Sequence, residues 1–321
     1  MDWLSIPLAI AGLLIGGVVG LTGMGGGALM TPVLVLFFGV DTVSAISSDL
    51  LVSLLMKPFG AIVHLRRRTV NLRLVGWLCI GSVPGALLGV VLLNVFKPVP
   101  QFTTLLQGAL GIALILAAAT LAVRIWMGMT QRHTALGERA VSHVDAPQIT
   151  IRPVLTVTLG ALAGAMVGIT SVGAGSIVVV VLLLLYPALK ASQLVGTDLV
   201  QAIPLVGAAF LGHFLYGDVS FSVAGSVLVG AIPGAWLGAQ FSSRFAGGLI
   251  RRALAVLLFA SGLAMLGVPT PGILVGAAAF VAAGAIAWLL VRRRGSPQAR
   301  THRPPGAAPP DTEESQPWHT T

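Results

Sequence analysis

The stretch Gly20-Leu21-Thr22-Gly23-Met24-Gly25-Gly26-Gly27 interrupts an apolar region that would otherwise read as one long buried helix. A second copy, Gly168-Ile169-Thr170-Ser171-Val172-Gly173-Ala174-Gly175, follows 148 residues later and interrupts a second such region. A backbone N–H or C=O facing lipid has no water to bond, so a spanning segment breaks only where it is buried in protein or lines a watery cavity. Paired glycine-interrupted segments in matching halves of an apolar chain therefore point to a transport site.

Composition sets the frame for that reading. The chain of 321 residues is 56% hydrophobic and 9% charged, whereas a soluble domain carries about 25% charge. From Leu4 to Val291 it is almost wholly apolar, punctuated by short polar turns. The expectation is an all-α polytopic membrane protein, with about 9–11 hydrophobic segments at the length a bilayer demands. The apolar runs are continuous and lack the alternation of barrel strands, which excludes a transmembrane β-barrel. Met1-Asp2-Trp3 offers no basic region of the kind that opens a cleaved signal peptide. The net charge of +9 lies in loops, where the positive-inside rule accounts for it without a nucleic-acid partner. The single cysteine, Cys79, lies in an apolar segment and supports neither a disulfide nor a metal site.

The order of segments repeats. Leu4 to Leu21 and Ala28 to Val40 flank the first glycine stretch, and Val43 to His64, Leu74 to Val95 and Phe102 to Val123 follow. After a polar linker the pattern restarts with Val154 to Ile169, Ser176 to Leu189, Leu194 to His213, Phe221 to Phe241 and Leu249 to Val268. This gives a first transmembrane repeat over 1–124, a cytoplasmic linker over 125–152 and a second repeat over 153–268. An extra helix over 269–291 has no counterpart, and a polar tail over 292–321 lacks apolar periodicity and reads as disordered. Past the glycine stretch the offset is 149: Ser48-Asp49 matches Thr197-Asp198, His64 matches His213, and Gly81-Ser82-Val83-Pro84-Gly85-Ala86-Leu87-Leu88-Gly89 matches Gly230-Ala231-Ile232-Pro233-Gly234-Ala235-Trp236-Leu237-Gly238.

Charge then sets orientation. If each glycine-split region goes down and back, the basic loops at Arg66 to Arg73, Arg124 to Arg152, Lys190, Arg244 to Arg252 and Arg292 onward share one face. Only Lys97 falls on the other, and Lys57 lies within a helix. Five crossings per half make the repeats inverted, with Gly-broken helices at their interface and the C-terminus cytoplasmic.

Short helices beginning near Gly27 and Gly175 would aim their N-terminal N–H groups and positive dipole ends at the breaks, a ready anion site. The expected substrate-binding residues are Thr22, Gly23, Gly25, Gly26 and Gly27 in the first half and Thr170, Ser171, Gly173, Gly175 and Ser176 in the second. Lys57 joins them as the one cation expected inside a helix. The plainer alternative is that the glycines only let helices pack closely. Asp49 and Asp198, about two turns into their helices, are candidates either for carrying a coupling ion or for capping a neighbouring broken helix. His64 and His213 follow their Asp by 15 residues, roughly 22 Å along a helix, which is too far for a same-helix pair. Neither a metal-ligand cluster nor a nucleophile–base arrangement is visible, so no cofactor, metal or enzymatic activity is expected.

Gly23-Met24-Gly25-Gly26-Gly27 with Pro32, the pairs Ser48-Asp49 and Thr197-Asp198, and the duplicated Pro-Gly-Ala-Xaa-Xaa-Gly stretches resemble the TauE/SafE family of membrane permeases over about residues 8 to 267. The resemblance implies a multi-pass transporter in a bacterial inner membrane, moving sulfur-containing anions such as sulfite or sulfonates without ATP hydrolysis. The second glycine stretch departs from the pattern, with Ser171 and Val172 breaking the glycine run and Val180 in place of the proline. A transporter of another small anion or metabolite, and an anion channel, are the alternatives. The expected partners are the small anion and the bilayer, with homo-oligomerisation left open.

Overall fold

The structure is a computed structural model and describes residues 5–22, 27–135, 150–173, 175, 177–186, 189, 191–241 and 247–294. Among them the chain forms eleven helices and no strand. These are α1 (Ile6–Thr22), α2 (Gly27–Phe38), α3 (Thr42–Arg66), α4 (Leu72–Phe96), α5 (Phe102–Ala135), α6 (Pro153–Thr170), α7 (Ile177–Leu185), α8 (Ala191–Leu215), α9 (Phe221–Phe241), α10 (Gly247–Met265) and α11 (Thr270–Arg294). Seven of the described helices, α3, α4, α5, α6, α8, α9 and α10, are long and apolar enough to cross a membrane. The multi-pass, all-helical character expected from composition is what the chain shows.

Local chemistry sets the helix ends. The Asp41 carboxylate accepts from the N–H groups of Val43 and Ser44 at 3.1 and 3.2 Å and starts α3. Asn71 does the same for α4 through Leu74 N–H. Pro153 opens α6, where its missing N–H is no loss. Helices α3 and α8 close alike: Thr69 N–H returns to His64 O and Asp218 N–H to His213 O, each at 3.1 Å. Both turns pass through a left-handed residue, Arg68 (φ 52) and Gly217 (φ 75).

Packing crosses between the halves. Helix α1 lies along α9, α4 along α6, α3 along α8 and α5 along α10. The direction of each pair follows from which residues meet. Gly12 and Gly16 of α1 face Val227 and Ala231 of α9, while Gly81, Gly85 and Gly89 of α4 face Val157, Ala161 and Ala165 of α6, so both pairs run parallel. Ser47 Oγ at the start of α3 donates to Asp218 O beyond the end of α8 at 2.8 Å, and Asn71 N–H beyond the end of α3 donates to Thr197 Oγ1 near the start of α8 at 3.1 Å. Helices α3 and α8 are therefore antiparallel.

The parallel pairs are glycine seams. A Cβ placed on Gly81, Gly85, Gly160, Gly164, Gly168, Gly230, Gly234 or Gly238 would come within 3.0 Å of a carbonyl oxygen on the partner helix. Small residues let backbones approach closely where no hydrophobic force drives helices together. For these helical glycines, the close-packing role is the one seen. Large apolar side chains such as Leu14, Phe37, Phe59, Val154 and Trp236 point outward, as a lipid-facing surface requires.

Three segments differ in extent from the sequence expectation. Helix α5 continues to Ala135, through residues assigned above to the linker. Thr130-Gln131-Arg132 ends the apolar stretch but is compatible with helix, so charge marks the edge of the hydrocarbon and not the helix end. Helix α7 covers only Ile177–Leu185 of the expected Ser176 to Leu189. The extra helix, α11, begins at Thr270 and stacks Phe280 on Phe259 of α10, with centroids 4.7 Å apart. The rest of the linker, residues 136–149, and the tail from 295 onward lie outside the described residues.

Candidate functional site at the crossing of the third and eighth helices

The antiparallel pair α3 and α8 brings a polar step from each half into the protein interior. Ser47, Ser48 and Asp49 on α3 and Thr197, Asp198 and Gln201 on α8 are all buried. Both carboxylates lie about two turns from the start of their own helix, at opposite ends of the antiparallel pair.

Asp49 is held by hydroxyls from three helices. Ser171 Oγ donates to Oδ2 at 2.7 Å, Thr31 Oγ1 of α2 donates to the same oxygen at 3.0 Å, and Ser53 Oγ approaches Oδ1 at 3.4 Å. Thr31 and Ser171 are also 2.8 Å from each other. The carboxylate of the first half thus fastens α2 and the end of α6. Its hydrogen-bond donors among the described residues are side-chain hydroxyls, not the helix N–H groups envisaged for a cap.

Asp198 has a different setting. Among the described residues its buried Oδ1 has no hydrogen-bond partner, and neither has Nε2 of Gln201 one turn later. Gln201 faces the carboxylate, while its own Oε1 accepts from Ser82 Oγ of α4 at 3.2 Å. Two cations come within electrostatic reach of Asp198, Lys57 from α3 and Arg124 from α5.

Lys57 is 8% exposed and feels both Asp198 and Asp49 without a direct ion pair to either. Arg124 donates from Nη1 to the carbonyl of Gly175 at 3.4 Å, tying α5 to the second glycine stretch. Two of that stretch's residues have positive φ, Ser171 (58°) and Gly173 (117°). The Thr170 hydroxyl is engaged by the carbonyls of Met166 and Val172 at 2.7 and 3.3 Å. The two expected hydroxyls at 170 and 171 therefore bond backbone and Asp49. Gly27 opens α2 and Thr22 ends α1, whereas Gly23, Gly25, Gly26 and Ser176 lie outside the described residues.

The two histidines end their helices away from this centre. His64 Nδ1 is 2.9 Å from Thr69 Oγ1. His213 is fully buried, with Nε2 2.9 Å from Gly168 O and Nδ1 3.5 Å from Asp218 Oδ2. Asp218, in the turn after α8, also pairs with Lys97 at the end of α4. Burial pushes the Asp218 carboxyl upward, but His213 and Lys97 outweigh that and hold it below the usual carboxylate range. Lys97 and Asp218, but neither histidine, border a cavity of about 580 Å³ lined also by Asp41, Ser44 and Phe102.

Sequence reading missed Thr31, Ser53, Gln201 and the inward role of Arg124. Hydroxyl residues are common in apolar helices, and Arg124 reads as the first residue of a basic linker. A side-by-side reading of the two halves carries the usable signal, because Ser53 faces Ala202 at the repeat offset and Gln201 faces Val52.

Residues 8–265, nearly all of the membrane-embedded chain, match the family model described as "Sulfite exporter TauE/SafE". The chain belongs to the TauE/SafE family. It is similar to the "Probable membrane transporter protein YjnA" of Bacillus subtilis (strain 168), with 34% identity over 264 residues, 82% of this chain and 100% of that protein. It is also similar to the "Probable membrane transporter protein YdhB" of the same organism, with 25% identity over 257 residues, 79% of this chain and 96% of that protein. No solved structure matches. The TauE/SafE chain described here is thus a multi-pass membrane transporter by family, and its interior concentrates charge where α3 and α8 cross.

Proposed function

We propose that this chain is a secondary transporter of small sulfur-containing anions such as sulfite or organosulfonates, working by alternating access between two inverted halves. The observation that carries the reading is Lys57. It is a buried cation between the two halves, within reach of both carboxylates and paired directly with neither. A buried charge inside a spanning segment costs several kcal/mol and is kept where it does work. The family description, with its named anion, supports the substrate class.

Helix directions support the inversion. Helix α3 runs antiparallel to its counterpart α8, and the cross-half pairing of α1 with α9 and of α4 with α6, both parallel, is the pattern an inverted repeat requires. The basic turn Arg66-Arg67-Arg68 ends α3, whereas Lys97 and Asp218 meet at the other end of the bundle. That asymmetry supports a reading with the N-terminus outside and the C-terminus in the cytoplasm of a bacterial inner membrane. The anion's path runs by the two glycine stretches, where the starts of α2 at Gly27 and of α7 at Ile177 offer helix N-termini to it. Transport without chemical conversion, and without a cofactor, is the activity proposed.

The test is uptake and efflux of labelled sulfite, sulfate, thiosulfate and small sulfonates in proteoliposomes, with the intact protein and with Lys57→Met. Saturable flux of one sulfur anion, weakened at least about tenfold in apparent affinity by Lys57→Met, is expected. Flux of none of these anions through folded protein would remove the substrate class, and flux that never saturates would favour a channel.

A further inference from the structure

The two halves carry an aspartate at the matching position of the repeat and surround it differently. The hydroxyls on Asp49 come from Thr31, Ser53 and Ser171. Their counterparts in the sequence of the other half are Val179, Ala202 and Gly23, none of which has a hydroxyl. In their place Asp198 has Gln201 on its own helix and two cations, Lys57 and Arg124, from α3 and α5. Asp198 is 4% exposed and Gln201 1% exposed, and each leaves one polar atom without a partner. Buried polar atoms are nearly always bonded; here Gln201 faces the carboxylate, yet among the described residues neither Asp198 Oδ1 nor Gln201 Nε2 completes a well-formed hydrogen bond, and with two cations in reach the pair keeps bonding capacity that a small ligand can use.

We propose that Asp198 is the carboxylate that takes up and releases the coupling proton, with Lys57, Arg124 and Gln201 holding a small oxyanion beside it, and that Asp49 is a fixed anchor. The proposal rests on the anion-transport reading above and assigns the parts within it.

The logic is competition. Ionised Asp198 occupies the field of Lys57 and Arg124 and acts as a built-in substitute for the substrate. When a proton bonds to Oδ1, the carboxylate loses its charge and becomes an O–H donor. A singly charged oxyanion can then take its place beside the two cations, accepting from the Asp198 O–H and from Gln201 Nε2. Proton and anion enter together and leave together, so the site's net charge is the same empty and loaded. Both orphan atoms are satisfied in the loaded state.

The charged groups facing Asp198 are Lys57 on α3 and Arg124 on α5. Helices α4, α6 and α7, also packed against α8, bring no charged side chain to it among the described residues. Lys57 feels Asp49 as well, but that carboxylate is fully engaged by its three hydroxyls and keeps its place throughout.

The test has two arms on the full-length protein. The first needs no substrate: an infrared pH titration of purified protein should show a carboxylic-acid carbonyl band that is lost in Asp198→Asn and retained in Asp49→Asn. A band untouched by Asp198→Asn, or abolished by Asp49→Asn, overturns the assignment. If Asp198→Asn does not fold, Asp198→Glu carries this arm, since the band should survive at a shifted frequency and midpoint.

The second arm uses sulfite as the probe in proteoliposomes. A one-to-one coupling strengthens sulfite binding by about tenfold per pH unit of acidification above the Asp198 midpoint. Asp198→Asn should exchange sulfite for sulfite while losing acceleration by a pH gradient, and Gln201→Leu should weaken sulfite binding while keeping the band. Retained gradient-driven flux in Asp198→Asn overturns the proposal. Intact protein that moves no sulfite counts against the substrate class, and the infrared arm then decides on Asp198 by itself.

Discussion

Ser171 Oγ donates to Asp49 Oδ2 at 2.7 Å, so the residue closing α6 in the second half is held by a carboxylate of the first. Ser171 keeps φ at 58° to make that bond, a left-handed conformation that serine adopts only when its surroundings enforce it. Ser171→Ala should lose the hydrogen bond and keep the strain, and destabilise the protein by about 1–3 kcal/mol. Ser171→Gly loses the same bond but relieves the strain, and should unfold at a higher temperature than Ser171→Ala. Thermal unfolding in detergent measures both.

The glycine seams predict a sharp positional contrast. Gly85→Leu and Gly234→Leu each drive a side chain into the partner backbone at Ala161 or Leu13, where overpacking costs about 1–3 kcal/mol or more. Gly76, also on α4, has nothing within 4 Å of an added Cβ, so Gly76→Ala should be silent. Monodispersity of the purified variants on size exclusion separates the two outcomes.

Acid stability should depend on the Lys97–Asp218 pair. The folded Asp218 carboxyl lies below its usual value, so its contribution is present above the unfolded value near 4 and is lost as pH falls through the lower folded value. Lys97→Met removes one of the two groups holding the carboxyl down. The folded value then moves up toward the unfolded one, so the acid loss is smaller and is complete at a higher pH, at a stability cost of about 1 kcal/mol near neutrality for a pair of which the lysine is one-third exposed. Unfolding temperature followed from pH 7 to pH 3 shows whether the acid limb moves.

Orientation can be read with thiol labelling. Cys79, the chain's one cysteine, is half-buried in α4, so a Cys79→Ser background leaves a clean reporter. Arg68→Cys should react only with reagent supplied from the cytoplasmic side and Pro98→Cys only from the outside. The reverse pattern would invert the topology proposed here.

Much of the architecture was legible because lipid imposes it. Long apolar segments, their interruption by glycine and the return of Asp, His and Pro at a fixed offset are visible one residue at a time. The cross-half pairing of α1 with α9 and α4 with α6 was not, although its instrument was in view: the Pro-Gly-Ala-Xaa-Xaa-Gly stretches that identified the repeat also supply the glycines of the seams. The centre was legible only in part. Asp49, Asp198 and Lys57 stand out because charge is rare in these segments, but Thr31, Ser53 and Gln201 do not, since polar uncharged residues are tolerated throughout. Arg124 was hidden by its neighbours, because the sequence beyond it turns polar and reads as loop although α5 runs on to Ala135.

The interlaced seams also govern how the chain is made. Helix α1 finds its close partner only when α9 has been synthesised, eight helices later, and α4 must hold its glycine face uncovered until α6 arrives. An early fragment therefore presents bare backbone grooves to the lipid and to other nascent chains. Neither half can reach its final form alone, and two separately expressed halves should recover a stable protein only when they meet in the same bilayer.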